Sequence, residues 1–158
     1  MKTRYLFPNS YKKIGWILLV IGLILGIVLL VNDFEYPSYE IKVWTPIKSG
    51  ALFESDRNHL IETNIFTEIA IFLITAGGLL VAFSKEKIED EYIQKIRVES
   101  LIWATFVNYI ILLIATLLLF DFNFLTFMTI NMFSLLLLFI VKFQWELYRL
   151  KKMDKNEK

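Results

Sequence analysis

Glu68 is the residue whose chemistry is hardest to explain away, because it is the only charge inside an otherwise apolar run from about Glu62 to Phe83. A carboxylate at mid-bilayer costs about 2.5–3.5 kcal/mol on insertion scales, so an intramembrane acid is a candidate for ion, proton or ligand handling. Glu68 stands only about six residues into its run, however. Near that boundary water relieves much of the cost, and an interfacial acid facing water or a neighbouring helix is the plainer reading. Asn108, Asn131 and Ser134 are the other polar side chains set deep in apolar sequence. Their amides and hydroxyl could line a path, or could bond to one another across a helix interface and fix its register. The second role needs no ligand and is preferred.

Asp56, His59 and Glu62 recur at intervals of three and would share a face if a helix ran from Asn58 into the following apolar run. Such a face could be drawn as a metal or anion site. A solvated helix start capped by Asp56 or Asn58 explains the same residues. No metal site is expected, since His59 is the only histidine and cysteine is absent. There is no Ser-His-Asp set, phosphate-binding glycine loop or HExxH. Gly77-Gly78 lies inside an apolar run and is no such loop. No catalytic residue and no cofactor site can be nominated, and a non-enzyme is expected.

The elements that hold these residues are four apolar runs, at about 14–31, 62–83, 101–120 and 124–143. The first, Ile14 to Val31, has eighteen residues without a charge. At 1.5 Å per residue it extends roughly 27 Å, close to the ~30 Å hydrocarbon core of a bilayer. It exceeds the 7–15 residues of a signal-peptide core, and its exit, Val31-Asn32-Asp33-Phe34-Glu35, offers no small-residue cleavage site. A retained span follows. The chain is 56% hydrophobic with mean hydropathy +0.54, above the roughly 45–50% apolar share of soluble domains. The fold class expected is an all-α integral membrane protein, a single four-transmembrane-helix bundle occupying residues 1–158.

Positive charge orients it. Lys and Arg number four before the first run, three in residues 32–64, four in 84–100, none in 121–123 and six in 142–158. Alternate segments therefore carry 14 against 3, which places both termini in the cytoplasm. Trp16, Trp103 and Trp145, with Tyr11 and Tyr148, fall at the same inner boundary; Tyr36, Tyr39, Trp44, Phe120, Phe122 and Phe124 fall at the outer one. With a net charge of +1 there is no electrostatic case for a nucleic-acid partner.

Between the runs, the outer loop at 32–61 contains Pro37, Pro46 and a turn-like Lys48-Ser49-Gly50, and Tyr39 to Trp44 alternates as a short strand. The inner connection predicts a cytoplasmic helix over 86–100 that continues unbroken into the third span. Ser84 would cap it, Glu91 and Lys95 would pair at i, i+4, and Ile88, Tyr92, Ile93, Ile96 and Leu101 would form an apolar stripe. Asp121-Phe122-Asn123 leaves room only for a tight hairpin, so spans three and four must be antiparallel neighbours. Gly22 and Gly26 form a GxxxG with Gly15 a heptad earlier, and Gly78 with Ala82 repeats the spacing in span two. These small residues mark helix packing, within the chain or between copies of a homo-oligomer.

The stretch EDEYIQKIRVESLIWATFVNY, Glu89 to Tyr109, resembles segments of small, uncharacterised four-span membrane proteins of bacteria, and covers about a seventh of the chain. The resemblance implies residence in a bacterial inner membrane and transfers no functional residue. Two functional expectations stand. One is a non-enzymatic sensor, regulator or assembly factor that works through protein partners by way of the outer loop and inner helix. The alternative is an oligomeric channel or small transporter built on Glu68, Asn108 and Asn131.

Overall fold

The computed structural model describes residues 6–32, 40–44 and 60–156, with side chains for 6–32, 65–121 and 123–153. Its elements in chain order are α1 (Ser10–Val31), β1 (Glu40–Trp44), β2 (Leu60–Asn64), α2 (Ile65–Ala82), α3 (Glu91–Leu118) and α4 (Asp121–Asn156). Each of the four helices is long and apolar enough to cross a membrane. With 28 residues α3 extends about 42 Å, and with 36 residues α4 about 54 Å. Both exceed the ~30 Å that a bilayer core requires.

Glycines set how the first pair packs. A Cβ on Gly15 would lie 2.8 Å from the Leu80 Cβ, and one on Gly22 would lie 2.8 Å from the Ile74 amide nitrogen. α1 and α2 therefore run antiparallel at a separation that only hydrogen side chains allow. Gly77 supplies the matching gap on α2: a Cβ there would come within 2.5 Å of the Leu19 amide nitrogen. Gly78 faces the other way, toward Leu136 of α4. Adjacent glycines thus serve two different interfaces, and these faces pack inside one chain. α3 lies against α4, so α2 and α4 join the two hairpins.

The hydrophobic core gathers at one end. Leu19, Val81, Ala82, Ile93, Phe139 and Phe143 belong to it, and the fully buried residues of α4 (Phe139, Ile140, Phe143 and Leu147) all fall in its second half. At this terminal end the start of α1, the end of α2 and the base of α3 meet. Phe7 pairs with Ser84 as an isolated parallel bridge, through Phe7 N–H to Phe83 O at 2.9 Å and Lys85 N–H to Phe7 O at 2.9 Å.

Three local expectations are corrected. Residues 60–64 are not helical; they form β2, antiparallel to β1 in a register that sets Lys42 opposite Glu62 and Val43 opposite Ile61. A lone strand at 40–44 would leave its backbone groups unpaired, and Ile61 and Thr63 are β-branched, so a ribbon answers both needs. Glu62 therefore has no helical face to share; Asp56 and His59, like Pro37, Pro46 and the Lys48 turn, lie outside the described residues.

The inner helix starts at Glu91, not near residue 86, and its cap is Asp90, whose Oδ1 accepts the Ile93 N–H at 2.8 Å. Ser84 instead gives its hydroxyl to the Leu80 carbonyl. Over 85–90 the backbone is irregular instead, with the Lys85 N–H given to Phe7 O and the Glu86 N–H to the Glu89 carboxylate at 2.9 Å. From Glu91 the helix does run unbroken into the third apolar run.

The hairpin between α3 and α4 turns at Leu119 and Phe120, two residues before the Asp121 at which the sequence places its start. Leu119 is extended, and Asp121 takes a left-handed φ of 55° as α4 begins. Asp is among the few side chains that accept this region readily.

Candidate functional site

Two polar assemblies stand out among the described residues. The first is midway along the α3–α4 hairpin. Asn108 is buried on α3 at 6% exposure. Ser134 reaches it from α4 with a hydrogen bond to the Asn108 Oδ1. The same hydroxyl lies 3.0 Å from the Asn131 carbonyl and 3.1 Å from the Asn131 Oδ1. A serine has one hydroxyl hydrogen, so it is shared among three oxygens drawn close to it. Asn108, Asn131 and Ser134 are therefore brought together as one neutral cluster, linked through the Ser134 hydroxyl.

Glu68 is elsewhere. It stands exposed in the first turn of α2, where a carboxylate suits the positive end of the helix dipole. Thr75, Thr105, Thr116 and Thr129 bond back to the carbonyl four residues earlier, which removes their polarity from any path. Among the described residues no three carboxylate or histidine side chains gather to hold a metal ion.

The second assembly was not nominated from the sequence. Its centre is Arg97, 8% exposed in the second turn of α3. Nη1 donates to the carbonyls of Ala82 at 3.3 Å and Ser84 at 3.1 Å. Ala82 is the last residue of α2, where carbonyls lack intrahelical partners, and Ser84 lies two residues beyond it. Nη2 meets both Glu89 oxygens at 3.1 Å, and the guanidinium carbon sits 4.8 Å from the centre of the Phe143 ring on α4. One side chain thus ties α2, the 83–90 connector, α3 and α4.

Charge-assisted bonds of this kind are about twice as strong as neutral ones. The planar fork that reaches several acceptors at once is a property lysine lacks. Around it, Lys12 pairs with Glu86, their side chains only 15% and 12% exposed. The Asn9 amide donates to Lys85 O at 2.6 Å, and Asn9, itself in a helical conformation, makes no side-chain cap to α1. On α4, Lys142 pairs with Glu146 at 2.6 Å and lies 5.5 Å from the Trp103 ring centre.

Some expected partners are rearranged here. Lys95 approaches Glu99 at 3.9 Å, both well exposed. The apolar stripe divides: Ile93 and Ile96 are buried, whereas Ile88 is 75% and Tyr92 56% exposed. Ile88 lies before the helix begins, so it cannot share a helical face with Tyr92 and Ile96. The signal that would have found Arg97 was its position. A guanidinium four residues ahead of the apolar run at Leu101, with an acid eight residues earlier at Glu89, has to be paired if the helix packs to its base.

Chemically, the terminal assembly can hold helices in fixed relation and present a rigid surface. The midspan cluster can fix the register of one hairpin. Neither offers a nucleophile beside a base. Searched against protein-family models, curated proteins and solved structures, the chain matches none.

Proposed function

We propose that the chain is a non-enzymatic four-span protein of a bacterial inner membrane, its helices forming a bundle with both termini in the cytoplasm. It acts as a sensor, regulator or assembly factor through a protein partner. The observation that carries this reading is the character of the terminal end. Two partly buried ion pairs, Lys12–Glu86 and Arg97–Glu89, and a backbone bridge at Phe7 hold the connector at 83–90 in a defined shape. That shape holds Ile88 and Tyr92 out, 75% and 56% exposed, amid the charges of Lys85, Lys87, Glu91 and Lys95. A fixed connector with apolar side chains turned outward supports contact with another protein on the cytoplasmic side more than it supports chemistry.

The transport alternative draws less support. Its three residues are divided between Glu68, exposed in the first turn of α2, and a cluster in the α3–α4 hairpin whose Ser134 hydroxyl bonds both asparagines. The test is photo-crosslinking in living cells from a benzoylphenylalanine placed at Ile88 or Tyr92, with Phe106 on the lipid-facing side of α3 as control. A discrete protein adduct from the first two and none from Phe106 is expected. Adducts with lipid alone at all three positions would remove the reading.

A further inference from the structure

The helices that close tightly at the terminal end part toward the β ribbon, and Gly22 and Gly26 mark the change. At Gly22 an added Cβ would strike the α2 backbone at 2.8 Å, whereas at Gly26 it would meet only the Ile74 Cδ1, at 3.3 Å. Gly26 therefore faces only the flexible tip of an α2 side chain, not the α2 backbone. It lines a cleft of about 130 Å³ between α1, α2 and α4. Ala70 and Ile74 of α2 form a buried floor at 3% and 7% exposure, and the rim carries Ile27 of α1 and Ile130 of α4, exposed at 59% and 43%.

The lining is almost wholly carbon. Of its two threonines, Thr129 turns its hydroxyl onto the Leu125 carbonyl at 3.2 Å. Engineered apolar cavities of about 150 Å³ stay dry and take benzene or xenon. Water is thus a poor occupant, and a short run of methylenes is a matching one. All three walls belong to helices apolar enough to cross a membrane, so the medium at the mouth is hydrocarbon.

We propose that this cleft is an acyl-chain site, which takes part of the tail of a membrane lipid from the leaflet on the β-ribbon side. The inference rests on the chain spanning a bilayer, and it goes beyond contact with a protein partner. The β2 strand enters α2 without a linker, Asn64 being followed directly by Ile65. The ribbon therefore stands at the end of the floor helix, where the lipid's polar head would lie.

The test uses the full chain reconstituted in phosphatidylethanolamine–phosphatidylglycerol vesicles that contain a phospholipid with a diazirine in mid-chain. Adducts are mapped by mass spectrometry. Labelling at Ile27 and Ile130 should exceed that at Phe106 and Leu113 of α3 several-fold, although these controls are the more exposed, at 68% and 67%. Gly26→Leu should bring labelling in the cleft down to the control level and leave α3 unchanged. Ile130→Trp should do the same without touching the α1–α2 contact.

Equal labelling of cleft and controls would mean ordinary surrounding lipid and overturn the site. So would undiminished cleft labelling in both variants, or a disulfide-linked dimer of Ile27→Cys protected from the label, which would assign the face to a second copy. Absence of label everywhere would instead overturn the membrane reading on which the site rests.

Discussion

Replacing Arg97 should cost more stability than any other single polar substitution in the described helices, and the size of the loss can be worked out from its partners. In Arg97→Met the stem volume stays and the guanidinium goes. The Ala82 and Ser84 carbonyls lose the donor that reached them at 3.3 and 3.1 Å, and Glu89, 14% exposed, loses both bonds at 3.1 Å. Breaking a buried pair by removing one partner costs about 3–5 kcal/mol. Glu89→Gln keeps an acceptor for the guanidinium but removes the opposite charge, for a loss of about 1–3 kcal/mol. In the double variant the unpaired carboxylate is gone, so the combined loss should fall short of the sum by about 1.5–3 kcal/mol. Unfolding of the purified protein in mixed micelles by increasing sodium dodecyl sulfate measures all three. Additivity within about 0.5 kcal/mol, or an Arg97→Met loss below that of Glu89→Gln, would refute the claim that this side chain ties the helices together.

Gly77→Val should destabilise by about 1–3 kcal/mol in the same assay, since its Cβ would meet the Leu19 backbone at 2.5 Å and backbone cannot step aside; a neutral effect would contradict the close α1–α2 contact. Ser134→Ala should cost about 0.6 kcal/mol and no more than about 1.7, the range of hydrogen bonds between membrane helices. A larger loss would mean that the Asn108–Asn131–Ser134 cluster does more than set register. Asp90→Ala should cost about 1 kcal/mol as a lost cap and should speed amide exchange at Ile93, whose N–H it holds at 2.8 Å; unchanged exchange would put the start of α3 elsewhere.

The four helices were legible because their apolar runs are long and uninterrupted, a signal that tertiary contacts cannot reverse. The meeting of Asn108 with Ser134 was legible for a related reason: a short connection forces α3 and α4 together, and polar side chains at matching depth have few other partners. What escaped the sequence was set by contacts distant along the chain. Phe7 claims the backbone of Lys85, 78 residues on, and Arg97 claims carbonyls at and just beyond the end of α2. Those contacts accompany an irregular backbone at 85–90, where local charge patterning favoured a helix. The β ribbon was half visible, since Tyr39 to Trp44 alternates, while the return strand at Leu60–Asn64 borders the apolar run and reads as its helical approach. The two glycines of α2 show the same limit: spacing marks Gly78 with Ala82, but only packing reveals that Gly77 carries the contact with α1.

The central claim is that four spans cross a bilayer and leave both termini on the cytoplasmic side. The chain has no cysteine, so single cysteines report without background. In intact cells a membrane-impermeant maleimide should label Ser55→Cys, while Lys87→Cys and Lys151→Cys should label only after the membrane is opened. Labelling of Lys87→Cys or Lys151→Cys in sealed cells, or recovery of the protein in the soluble fraction, would contradict it.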